Sequence, residues 1–332
     1  MKKNKRNILV LIITIFIILV YVFKNDFNDI VNMLLNVNLV YLGLAFVVLI
    51  ISDIFKSLNI YIYAKKFDPK YKFREAYKLN FITHFFNGIT PFLSGGQAYQ
   101  IYHLNKMNNI PYTKGSIFAF QTFFVYQTAL VIITTIAIFI NNFYDILPLD
   151  LFLKKIVFIG YSINLVIAII ITLINFEKKG KRFIINKLFR FLNRIKLIKK
   201  VTVDRVDSYV GVFNKSVQQI EGNNLLLLKG IIFNVIAMLL NFSIPLIILY
   251  AIEPNLNIPV LAVFIAMGYI FMVSTFVPIP GGTGGFEFGF LTFFGFIIGG
   301  PILKAAMLLW RFVTYYIVLI IGSIVFLVDR KE

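Results

Sequence analysis

Cysteine is absent from the 332 residues, which excludes disulfides, thiolate metal sites and a cysteine nucleophile. Histidine is nearly absent: His84 and His103 are the only two, too few for a histidine-built metal centre. Charge is scarce at 14% of residues, and its acidic share is small, 15 Asp and Glu against 33 Lys and Arg. A signal-peptide cleavage site is also missing. The first apolar run, Asn7 to Phe23, follows Met-Lys-Lys-Asn-Lys-Arg, yet Val20-Tyr21-Val22-Phe23 leads straight into Lys24-Asn25-Asp26 with no small-x-small pattern. It reads as an uncleaved first span. What is abundant is apolar: 59% hydrophobic residues and 37 Phe, in runs of 17 or more from end to end. That composition implies an all-α, polytopic integral membrane protein. No organelle-targeting signal is apparent, and the wealth of Lys, Asn, Ile and Phe suits an AT-rich prokaryotic genome, so a multi-pass protein of a prokaryotic cell membrane is expected.

Lysine and arginine orient the spans by the positive-inside rule. Lys2 to Arg6 lie inside, and the nearly neutral Lys24 to Asn38 lies outside. Leu39 to Ala64 then returns to Lys65, Lys66, Lys70, Lys72, Arg74 and Lys78. Lys106 and Lys114 are cytoplasmic too, so Ala76 to Leu104 enters and leaves on one face, as a re-entrant hairpin or two short helices. Ser116 to Ile140 runs out and Ile156 to Phe176 comes back. Phe176 to Gly222 carries 12 Lys and Arg against 4 Asp and Glu and is cytoplasmic. Leu225 to Ile252 goes out, Val260 to Phe276 in, Phe286 to Gly299 out as a crossing or half-helix, and Ile302 to Val328 in. About eight crossings plus the hairpin are expected, with both termini cytoplasmic and a single domain over residues 1–332. In the basic loop at 177–222, Ile184, Leu188, Phe191, Ile195 and Ile198 share one face and Lys187, Arg190 and Arg194 another. This is an interfacial amphipathic helix that either meets anionic headgroups or sets topology. The net charge of +18 sits in membrane-flanking loops without a nucleic-acid-binding module, so no nucleic acid partner is expected.

Two segments break the apolar runs. The first reads Asn87-Gly88-Ile89-Thr90-Pro91-Phe92-Leu93-Ser94-Gly95-Gly96-Gln97, and the second Pro278-Ile279-Pro280-Gly281-Gly282-Thr283-Gly284-Gly285-Phe286-Glu287. Proline removes a backbone donor and glycine weakens a helix, so such stretches survive at membrane depth only where protein or a water-filled cavity satisfies the freed groups. One lies in each half of the chain, the pattern of discontinuous helices that hold a substrate near the midplane. Helix N-termini exposed there carry partial positive charge and suit a phosphate. The alternative is that the glycines only permit close helix packing. Neither run is a nucleotide loop. Candidate binding residues are Asn87, Thr90, Pro91, Gly95, Gly96 and Gln97 in the first break, and Pro278, Pro280, Gly281, Gly282, Gly284, Gly285 and Glu287 in the second.

Arg311 completes the candidate set. It lies nine residues into the last span, about 14 Å deep at 1.5 Å per residue, where an unpaired arginine is costly. Its expected partner is Glu287, either as a structural pair or as a clamp on a lipid phosphate. Asp53 and Lys56, three apart, pair along one helix face. His84 relays protons, binds headgroups or simply faces the hairpin interior. No cluster suited to catalysis or to a metal is apparent, and no cofactor is expected.

Three motifs in this order carry a resemblance: Phe85-Phe86-Asn87-Gly88-Ile89-Thr90-Pro91 with Gly95-Gly96, then Pro278 to Glu287, then Arg311-Phe312-Val313-Thr314-Tyr315. Over nearly the whole chain the sequence resembles the transmembrane, flippase-like domain of the lysylphosphatidylglycerol synthase family, the membrane half of multiple-peptide-resistance proteins. The resemblance implies lipid transport linked to antibiotic resistance: movement of an anionic or aminoacylated phosphatidylglycerol, or a related lipid-linked phosphate, between leaflets. Full-length members add a cytoplasmic domain that transfers lysine from tRNA to phosphatidylglycerol. This sequence runs only to Glu332, so lysyl transfer is expected to need a separate aminoacyl-lipid synthase. After the first glycine pair the family shows a glutamate and an arginine, where Gln97 and Gln100 stand here. A translocase is expected first, a membrane component of lysylphosphatidylglycerol synthesis or an embedded enzyme second, and an accessory scaffold docking a synthase through Lys187 to Lys200 third. Homo-oligomerisation is left open.

Overall fold

The computed structural model of the chain describes residues 26–176, 224–274 and 277–329. The expected first span and the amphipathic helix of the basic loop lie outside the described residues. A short α1 (Phe27–Leu35) precedes α2 (Leu39–Ala64), whose 26 residues rise about 39 Å. Next come α3 (Phe73–Gly88), a 3₁₀ turn at Pro91–Leu93, α4 (Gly95–Asn108) and α5 (Tyr112–Tyr144). The rest is α6 (Leu151–Phe176), α7 (Asn224–Ile252), α8 (Val260–Ser274), a second 3₁₀ turn at Pro280–Gly282 and α9 (Gly285–Phe294). A final rod joins α10 (Gly300–Arg311) to α11 (Ile317–Asp329) through a π-helical turn at Phe312–Tyr316. Among the described residues five helices, namely α2, α5, α6, α7 and the α10–α11 rod, are long and apolar enough to cross a membrane. The chain is an all-α polytopic membrane protein.

Local chemistry sets the boundaries. The Asn38 side chain accepts from the Val40 amide at 3.0 Å and caps α2. Helix α5 ends at Asp145 in the left-handed region, which Asp and Asn tolerate. Asn141 then holds the turn into α6 by bonding both the amide and the carbonyl of Leu147.

Helices α2 and α7 pack antiparallel. Along α2 and α7, the Asn38 amide donates to the Ala251 carbonyl at one end, Ser52 Oγ donates to the Ala237 carbonyl at 2.8 Å midway, and Gly230 lies against Asn59 and Tyr63 at the other end. Each of the two leads into a hairpin of short helices and then into another long span. Thus α2, α3–α4 and α5 form one unit, while α7, α8–α9 and α10–α11 form a second that runs the opposite way. The cross-contacts match: α3 packs on the last rod of the second unit, and α8 packs on α5 of the first. This is an inverted-topology repeat.

One expectation is corrected. Val260 to Phe276, read as a crossing, instead forms a helix of 15 residues, and Phe286 to Gly299, read as a crossing or half-helix, forms one of 10, each short of the roughly 20 that span a bilayer. They fold back on each other, with Gly289 against Ile270 and Tyr269 against Phe293. The physical reason is the break itself, since Pro278, Pro280 and four glycines from Gly281 to Gly285 reverse the chain where a continuous helix would have passed through. The main apolar core gathers Phe242, Tyr269, Phe290, Phe294 and Trp310 around α7 to α10; a second, around Tyr63, Leu79, Leu104 and Phe118, holds the first hairpin.

Candidate functional site

The two hairpins enter from opposite ends of the bundle and their 3₁₀ turns touch. Both turns follow one plan: a proline, two residues with positive φ, a hydroxyl residue and a Gly-Gly. In the first these are Pro91, Phe92 (φ 56°), Leu93 (φ 52°), Ser94, Gly95 and Gly96; in the second Pro280, Gly281 (φ 65°), Gly282 (φ 63°), Thr283, Gly284 and Gly285. Glycine adopts this conformation freely, whereas Phe92 and Leu93 hold it against their Cβ atoms, a local strain of the kind that clusters at binding sites.

Much of the first break is occupied in shaping itself. Asn87 Oδ1 accepts from the Gly96 amide at 2.8 Å, and Thr90 Oγ1 accepts from the Gly95 amide at 2.9 Å while donating to the Phe86 carbonyl. These bonds cap the exposed start of α4. Gln100 Nε2 donates to Thr83 Oγ1 at 3.1 Å, and a Cβ on Gly96 would come within 2.5 Å of Thr83, so α4 lies pressed onto α3. Gln97 is half-buried, and its Oε1 has no hydrogen-bond partner among the described residues.

The second break holds the charge. Pro280, Gly281 and Gly282 are buried, while Pro278 is exposed. Gly284 (φ 91°) donates its amide to Glu287 Oε2 at 2.7 Å, so Glu287 caps its own helix. The other carboxylate oxygen, Oε1, lies 2.6 Å from Arg311 Nε, and both side chains are buried, 4% and 6% exposed. An aromatic wall closes around the guanidinium: its carbon is 4.0 Å from the Tyr315 ring centre, 5.5 Å from that of Phe286 and 6.0 Å from that of Trp310. Arg311 Nη2 is buried with no hydrogen-bond partner among the described residues. A guanidinium donor without an acceptor at such depth is costly, and an anion would satisfy it.

Tyr315 joins the two breaks. Its hydroxyl donates to the Gly88 carbonyl at the end of α3, 3.0 Å away, while its ring covers Arg311 and packs so closely on Gly281 that a Cβ there would collide with it. The geometry thus brings the glycine turns, Glu287 and Arg311 to one point. It assigns Asn87, Thr90, Gly95 and Gly96 to holding that point in shape. Sequence reasoning passed over Tyr315 as a site residue, although its i+4 spacing from Arg311 places both on one helix face.

A second polar cluster lies in the first unit. Asp53, 1% exposed, pairs with Lys56 Nζ at 3.1 Å, and His84 Nε2 on α3 stands 3.3 Å from the same carboxylate oxygen. The expected helix-face pair is therefore present, and His84 turns toward it. Among the described residues no group of three or more metal-ligating side chains occurs.

Residues 7–322 match the family model described as the lysylphosphatidylglycerol synthase TM region. A search of curated proteins gave no match.

Proposed function

The chain belongs to the lysylphosphatidylglycerol synthase transmembrane family, and from that premise we propose that it binds a phosphate-bearing lipid where its two broken hairpins meet and passes it between leaflets. The observation that carries this reading is the buried Arg311, with one nitrogen lacking an acceptor among the described residues, at the contact between two oppositely directed hairpins. At rest Glu287 balances Arg311. An arriving phosphate takes the guanidinium, which is matched to it in shape and charge, and Glu287 stays bound to the Gly284 amide. The inverted repeat supplies the rest: two units related by reversal can rock about a fixed central site and open it first to one face and then to the other. Residues 1–332 act as one flippase-like domain of a prokaryotic plasma membrane, with anionic or aminoacylated phosphatidylglycerol or a lipid-linked phosphate as cargo. The glycines and prolines of both breaks let backbone approach the headgroup closely.

The test is leaflet exchange of headgroup-labelled phosphatidylglycerol, lysylphosphatidylglycerol and a polyprenyl phosphate in liposomes holding the pure chain. Exchange of one of these above protein-free liposomes is expected. Well-folded protein that moves none of them contradicts the reading. A second reading, membrane partner of a separate aminoacyl-lipid synthase, draws on the basic segment from Phe176 to Gly222, with 12 Lys and Arg against 4 Asp and Glu. Copurification of a transferase that releases when this loop is neutralised would favour it.

A further inference from the structure

Far from the hairpin tips, a cavity of about 300 Å³ opens where α3 begins and α4 and α11 end, lined by Lys72, Arg74, Glu75, Lys78, His103 and Asp329. Asp329 is 18 residues beyond Arg311 on the same rod, about 27 Å along its axis, so this is a separate place. Its floor is built from buried groups. The Asp329 carboxylate, 7% exposed, stands between Lys78 Nζ at 3.6 Å and His103 Nδ1 at 3.3 Å, and His103 is 5% exposed. The other acid is engaged too, since Glu75 Oε2 accepts from the Lys72 amide at 3.1 Å and caps α3. At the rim, Lys72 and Arg74 are exposed, and neither side chain has an acidic partner among the described residues.

Cations that only orient a membrane protein need neither a cavity nor a buried carboxylate behind them. Here three helices converge to present two cations that lack an acidic partner among the described residues, over a cavity in which Asp329 is held by Lys78 and His103 and Glu75 caps α3. The aromatic strip beside it adds an apolar wall: Tyr99 lies near His103 and Phe326 and stacks on Phe86, 4.5 Å between centres, leading toward the Gly88 end of α3.

We propose that this cavity is a second anion site that takes a phosphate group through Lys72 and Arg74, with the aromatic strip receiving the chains of a phospholipid. A basic pocket between helices at the charged membrane face suits a lipid headgroup, and free phosphate esters share the same chemistry. The site does not depend on transport.

The test is amine-reactive labelling of Lys72 in the detergent-purified chain, read by mass spectrometry, with Lys65 and Lys66 on the neighbouring loop as internal controls. Dihexanoyl phosphatidylglycerol should slow labelling of Lys72 several-fold and leave the controls unchanged, and Arg74→Ala should weaken that protection roughly tenfold, the loss of one charge-assisted contact. Glycerol phosphate protecting equally well would support a headgroup site; protection by the lipid alone would support a lipid site. Protection must persist in the Glu287→Gln, Arg311→Met double variant, which separates this site from the central one. No protection of Lys72 by either probe, or equal slowing at Lys65 and Lys66, would overturn the proposal.

Discussion

The Tyr315 hydroxyl donates to the Gly88 carbonyl at 3.0 Å, a bond between residues 227 positions apart that ties the first hairpin to the last rod beside the second. Through it the polar ends of two units converge on Arg311.

Tyr315→Phe keeps the ring over Arg311 and removes the hydroxyl, leaving the buried Gly88 carbonyl without that bond. The expected cost is about 1–2 kcal/mol in thermal unfolding of the detergent-solubilised protein. A variant as stable as the parent would show that the bond does not hold the hairpin tips together.

Gly281→Ala should be far more damaging than Gly43→Ala. Gly281 has φ 65° and its added Cβ would meet the Tyr315 hydroxyl and ring, whereas a Cβ on Gly43 in α2 meets nothing within 4 Å. Strain at Gly281 costs about 1–3 kcal/mol before the collision is counted, while the helical Gly43→Ala change gains roughly 0.5–1 kcal/mol. Melting temperatures that move in the same direction for both would contradict the turn geometry.

Lys56 and Asp53 should respond unequally to loss of their partner. Lys56 is 25% exposed and can carry its ammonium toward the surface, but Asp53 is 1% exposed and cannot escape. Lys56→Met is therefore expected to destabilise strongly, about 3 kcal/mol, with only the nearby His84 left beside the carboxylate, and Asp53→Asn to cost less. The order of the two unfolding midpoints checks this, and the reverse order refutes it.

Fold class and both breaks were legible because hydropathy and proline act locally. The pairing of Glu287 with Arg311 followed from the expense of a buried charge, and that of Asp53 with Lys56 from helical spacing. Hydropathy has no direction, however, so Val260 to Phe276 reads as a crossing and Phe286 to Gly299 as a crossing or half-helix, and only the structure shows the two as one hairpin. The caps from Asn87 and Thr90 depend on α4 folding back over α3, and the approach of His84 to Asp53 depends on two helices meeting side by side. None of these contacts has a fixed offset in sequence.

A structural pair and a phosphate clamp differ in what happens when both charges are removed. Either single change, Arg311→Met or Glu287→Gln, strands its partner's charge or polar group, at about 3–5 kcal/mol, while removing both recovers most of that stability. The decisive measurement is lipid exchange by the Glu287→Gln, Arg311→Met double variant in liposomes, with its folding verified by thermal unfolding. The account predicts a folded protein that no longer moves the lipid the parent moves. Exchange at the parent rate by the charge-free double variant would contradict it and leave Arg311 and Glu287 as a structural pair.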